Sequence, residues 1–115
     1  MSFEDSQQAE RVIHATLVFE REIPTTVEKV FAAFANAKLR AEWSAPSATA
    51  TIIFDQEDFR AGGEDRFRCG SKSNPNSLGA TRYLEIIPDC RIVSSESISI
   101  NGKRLCASLI TLELA

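Results

Sequence analysis

Glu96 is the side chain whose setting best suits proton chemistry. It shares a two-residue spacing with Ile92, Ser94, Ile98 and Ile100, so in a strand its carboxyl stands on one face with apolar neighbours. A carboxyl buried in such company holds its proton to higher pH than a solvated one. Two other readings stay open: a glutamate facing water, or one paired with Arg82 or Arg104. Tyr83 offers a phenol, and if its ring lines a cavity its hydroxyl needs a polar partner. The acid pairs Glu57-Asp58 and Glu64-Asp65 flank a glycine turn and read as solvated loop charge. Adjacent strand residues point to opposite faces, so neither pair forms an acid-base dyad.

Other chemistries find less support. Gly62-Gly63 lacks the following helix and the lysine-serine pair of a phosphate loop, and reads as a sharp turn. Cys69, Cys90 and Cys106 are odd in number and far apart, which fits neither a disulfide framework nor paired zinc ligands, so reduced, partly buried thiols are expected. His14 is the single histidine. It falls on the more polar face of its segment, where a solvated side chain is expected and a triad or zinc site is not. No metal and no cofactor is expected.

These residues must be positioned by one domain. The chain has 115 residues, 43% of them apolar, and a formal charge of −3 from intermixed acids and bases. One core is expected, with no basic block for nucleic acid or anionic lipid. The polar N-terminus and the lack of a long apolar run argue against a signal or membrane span, giving an expected cytoplasmic location.

Residues 1–10 read as a flexible terminus. Val12 to Arg21 alternates, with Ile13, Ala15, Leu17 and Phe19 on one face, and predicts a first strand. Thr25 with Glu28 forms a capping box after Pro24. The stripe Val27, Val30, Phe31 and Phe34 predicts a helix, and Lys38 to Trp43 a second one that Pro46 ends. From Ala48 the period becomes that of strands, expected near Ala48 to Phe54, Asp65 to Ser71, Leu78 to Ile87, Arg91 to Ile100 and Lys103 to Leu114. Gly62-Gly63, Asn74-Pro75-Asn76, Pro88-Asp89 and Asn101-Gly102 supply the reversals of an antiparallel sheet. Helices on one side of such a sheet make an α+β domain.

The runs Val30-Phe31-Ala32-Ala33-Phe34, Ala37-Lys38-Leu39 with Trp43, Asp58-Phe59-Arg60-Ala61-Gly62-Gly63 with Phe67, Gly79, and Glu85-Ile86-Ile87-Pro88 with Arg91-Ile92-Val93 resemble the SRPBCC superfamily. Within it, the sequence is similar to the branch of the heat-shock ATPase activator C-terminal domain. The resemblance covers about residues 12–115. It implies a helix-grip (START-like) fold, a curved antiparallel sheet with two short N-terminal helices, and a final strand and gripping C-terminal helix that this chain lacks. A concave apolar face left open suggests a homodimer.

The resemblance also implies a cavity between sheet and helices. Mapped onto it are Trp43 at the mouth side of the second helix, Phe67 and Cys69 on one strand, Tyr83 and Glu85 on the next, and Ser94 and Glu96 after that. The candidate ligand-binding set is Trp43, Phe67, Cys69, Tyr83, Ser94 and Glu96, with Trp43 and Phe67 read as core aromatics before ligand contacts. No catalytic set carries over. The leading expectation is a binder or carrier of a small hydrophobic or aromatic molecule. The alternatives are a co-chaperone-like interaction module and a cyclase or hydrolase using Glu96 or Tyr83.

Overall fold

The computed structural model describes residues 11–45 and 47–115. Two helices, α1 (Val27–Ala35) and α2 (Ala37–Ser44), precede five strands: β1 (Ala50–Gln56), β2 (Glu64–Ser71), β3 (Asn74–Ile87), β4 (Arg91–Ile100) and β5 (Lys103–Glu113). The strands form one curved antiparallel sheet in sequence order, β1-β2-β3-β4-β5. This is the expected α+β helix-grip arrangement.

The helices are set by their ends. Thr26, one residue later than the predicted Thr25, caps α1 by accepting from the Lys29 amide at 3.3 Å. Glu28 then lies in the first turn, where it complements the helix dipole and closes no box. Asn36 is extended and closes α1 through its own amide to the Ala32 carbonyl; its side chain caps α2 from the Leu39 amide at 3.1 Å. One residue thus stops one helix and starts the next, and its side-chain cap on α2 is worth about 1 kcal/mol. Ala45 is extended at the end of α2, as a residue before proline must be. Pro46 and residues 1–10 lie outside the described residues.

The Asn101-Gly102 hairpin has positive φ at both positions, 52° and 78°, the type I′ geometry that matches strand twist. The β2–β3 turn departs from expectation: pairing begins with Ser71 opposite Asn74, so Asn74-Pro75-Asn76 opens β3 instead of interrupting it. Proline is tolerated at this strand start beside a register irregularity between Cys69 and Ser71.

The predicted Val12 to Arg21 strand does not form. Residues 11–22 have no ladder partner among the described residues, and Ile13 and Leu17 are 88% and 76% exposed. Alternation fixes which side chains share a face, but a strand also needs a neighbouring edge. His14 is exposed in this segment.

The core is also smaller than the composition suggested. Phe67, Tyr83 and Ile92 are the buried apolar side chains among the described residues. Two short helices cover only part of the sheet, and β5 is exposed along nearly its whole length. Cys90 and Cys106 are exposed as well, with only Cys69 partly buried. Free thiols are as expected, but two of the three gain nothing from packing.

Candidate functional site

Cross-strand register builds a cavity floor in rows. Phe54, Phe67, Gly79 and Ile98 lie side by side on β1 to β4. The absence of a side chain at Gly79 admits the Phe67 ring, which occupies the space that a Cβ there would take. The neighbouring row is polar: Asp65, Thr81, Glu96 and Ser108 on β2 to β5. The next pairs Tyr83 with Ser94 and Ser94 with Ile110. The helices and the β1–β2 loop wall this floor, enclosing a partly open cavity of about 550 Å³.

All six side chains of the candidate set line this cavity. Phe67, Tyr83 and Ser94 are buried, Cys69 and Glu96 half-buried. Trp43 is no core plug: it is 49% exposed, its ring stands edge-on to Phe34 at 4.8 Å, and its Nε1 donates to the Ala33 carbonyl at 3.2 Å. It clips α2 to α1 and presents its remaining surface at the cavity. Glu85 does not join Tyr83. A register shift between them places Glu85 opposite Val93, so it faces solvent and pairs with Arg91 at 3.0 Å. One inserted residue, Leu84, reverses the face of the residues after it.

The residue missed in the sequence is Asp65. Read as solvated loop charge, it is instead 1% exposed. Its carboxylate accepts from Arg40 Nη2 at 2.8 Å, from the Asp58 amide at 2.9 Å and from the Tyr83 hydroxyl. Arg40, itself buried, also donates to the Phe34 carbonyl and packs its guanidinium 4.9 Å from the Phe54 ring centroid. Phe59 stacks edge-on to Tyr83 at 5.0 Å and closes the cluster. The alternation Asp65, Phe67, Cys69 was the available signal, since it puts Asp65 on the face of Phe67. Glu64 does point the other way, half-exposed and 3.5 Å from Arg66. Glu57 is exposed, as expected, whereas Asp58 is half-buried and pairs with Arg60 at 2.9 Å.

Glu96 accepts from Thr81 Oγ1 at 3.4 Å, and neither Arg82 nor Arg104 pairs with it. Burial pushes its carboxyl up from the ordinary value, with the Thr81 bond opposing. Burial, then the Asp65 bond, also raises the Tyr83 phenol, which makes Tyr83 a fixed donor to Asp65. Cys69 is raised by burial, then by the nearby Glu96 charge, so its thiol is the opposite of an activated nucleophile. Among the described residues no cluster of three or more His, Cys, Asp or Glu side chains could hold a metal, and no helix is long and apolar enough to cross a membrane.

Residues 24–115 match the family model described as Activator of Hsp90 ATPase homolog 1-like protein. Among solved structures, the Mll3558 protein from Rhizobium loti is 33% identical with a TM-score of 0.76, over 90% of this chain and 73% of that one. An uncharacterized protein from Rhizobium leguminosarum is 27% identical with a TM-score of 0.71, over 86% and 65% of the two chains. The CV1439 protein from Chromobacterium violaceum, at 24% identity and a TM-score of 0.68 over 83% and 64%, shares the fold. No curated protein matches the chain.

Two variants test the electrostatics. Arg40→Met strands the Asp65 charge in the interior and is expected to cost about 3–5 kcal/mol in urea unfolding, with much of the loss recovered in the double variant Arg40→Met/Asp65→Leu. Glu96 favours its protonated form in the fold, so its contribution is present below its unfolded value of 4.5 and lost as pH rises through the folded one. Glu96→Gln is therefore expected to raise Tm by about 2 °C or more at pH 7.5 and by less at pH 4. An equal gain at both pH values, read by circular dichroism melts, would exclude burial of the charge as the cause.

Proposed function

This chain belongs to the family of Activator of Hsp90 ATPase homolog 1-like proteins, and we propose that it binds or carries a small hydrophobic or aromatic molecule in the cavity between its sheet and helices. The observation that carries this reading is the cavity itself. Its volume of about 550 Å³ falls within the roughly 300–1,000 Å³ of small-molecule sites. Its lining is mostly aromatic and branched aliphatic, and its polar groups include the row Asp65, Thr81 and Glu96 across the floor. Such a site draws its affinity from apolar burial and its orientation from the polar row.

Catalysis has less support from the geometry. Tyr83 is committed to Asp65, and Glu96 has Thr81 as its hydrogen-bond partner, so the two do not act as an acid-base couple. The family's description motivates a second reading, a surface that acts on a heat-shock ATPase. The exposed apolar side chains Leu105 and Leu109 on β5 offer contact area for it. An unchanged ATPase rate of purified Hsp90 with the chain in excess would dispose of that reading.

Filling the cavity tests the first. Ile98→Trp adds an indole to the floor, next to Gly79 in the register. N-phenyl-1-naphthylamine, followed by its fluorescence, is expected to bind the wild-type chain and to bind this variant at least about tenfold more weakly, a loss of roughly 1.4 kcal/mol. Equal binding by a folded variant would place the probe elsewhere.

A further inference from the structure

Glu96 is the charged group of the cavity with the fewest commitments. Asp65 is saturated by Arg40, Tyr83 and the Asp58 amide. Arg40, the cation in the lining, is consumed by Asp65 and the Phe34 carbonyl. Glu96 has one long hydrogen bond, from Thr81 at 3.4 Å, and no described basic side chain pairs with it. Its strand neighbours on the same face are Ser94 and Ile98, and its partner on β5 is Ser108. The cavity therefore holds a neutralised ion pair at one end of its polar row and an unpaired carboxylate further along it.

We propose that the ligand of this cavity is a lipophilic amine, an apolar or aromatic body carrying one protonated nitrogen that seats against Glu96. The inference rests on the reading of the cavity as a ligand site. An ammonium group would give the Glu96 carboxylate a charge-assisted hydrogen bond, stronger than a neutral one. The apolar body would lie over Phe67 and Ile98, and aromatic faces favour a nearby cation. An anionic ligand would meet the reverse situation: an uncompensated carboxylate, and a guanidinium already occupied. A neutral hydroxyl could still donate to Glu96, but without the charge that roughly doubles the strength of the bond. The arrangement therefore discriminates by charge as much as by shape.

Matched probes sharing one ring system separate the possibilities. Isothermal titration at pH 7.5 with 2-(aminomethyl)naphthalene, 2-naphthalenemethanol and 2-naphthoate is expected to rank them in that order, with the amine about tenfold tighter than the alcohol. In Glu96→Gln the amine is expected to lose its advantage while the alcohol changes by less than about twofold, because only the charge has been removed. Alcohol and amine binding equally, or an amine preference that persists in the glutamine variant, overturns the proposal and leaves the cavity as a ligand site. Failure of all three probes to bind the wild-type chain overturns the cavity reading and the amine with it. Ile98→Trp serves as the control, since a blocked cavity must weaken every probe that binds there.

Discussion

A carboxylate that is 1% exposed would be a severe liability if left alone, because several kcal/mol of hydration are lost on burial. Asp65 escapes that outcome because three separate elements each contribute a donor. Arg40 comes from α2, the amide of Asp58 from the β1–β2 loop and the hydroxyl of Tyr83 from β3. The requirement runs both ways: the three donors hold the carboxylate, and the carboxylate fixes the helix, the loop and the central strand relative to β2. The Gly62-Gly63 turn reinforces the same junction, since the Gly62 amide donates to the Tyr83 carbonyl at 2.8 Å and the Tyr83 amide to the Gly63 carbonyl at 3.0 Å. At Gly63 a side chain would collide with the Asp58 backbone, so the tight loop that brings the Asp58 amide to Asp65 depends on glycine there.

From this anchor the cavity takes its shape. Arg40 is drawn beneath α2 and pins its helix over one end of the sheet, while Phe59 and Tyr83 wall off the ion pair. The rest of the concave face is left with Phe67, Ile92 and Ile98 on the floor and Trp43 at the rim. The polar row from Asp65 to Ser108 crosses this apolar surface, and its members differ in how far their bonding capacity is met. Asp65 is complete and serves architecture. Glu96 is incomplete, and that difference, more than residue type, separates the structural acid from the one available to a ligand.

The exposed apolar surface has the same origin in partial coverage. Helix α2 contacts β1 and α1 packs on α2, so β5, at the far edge of the sheet, leaves Ile110 on the cavity face 42% exposed. The unpaired segment from Val12 to Ile23 is exposed as well. Exposed surface ion pairs, such as Arg68 with Asp55 at 2.8 Å, add little to stability by comparison.

By itself the sequence determined the local grammar of this protein: strand faces, turn types and helix stripes, each a matter of a few adjacent residues obeying sterics and period. That grammar placed Phe67 with Cys69 and Ser94 with Glu96, identified the Asn101-Gly102 hairpin, and carried the family's fold. Tertiary structure decided whatever depended on distant partners. Val12 to Arg21 alternates like a strand yet pairs with no described edge. Leu84 shifts the register and turns Glu85 to solvent although spacing put it beside Tyr83. Above all, Asp65 reads as solvated loop charge and lies 25 residues from Arg40, yet the fold brings the two to 2.8 Å. A charge's partner is a property of space, and no local period encodes it, because the electrostatic gain that makes burial tolerable exists only once both groups are desolvated together.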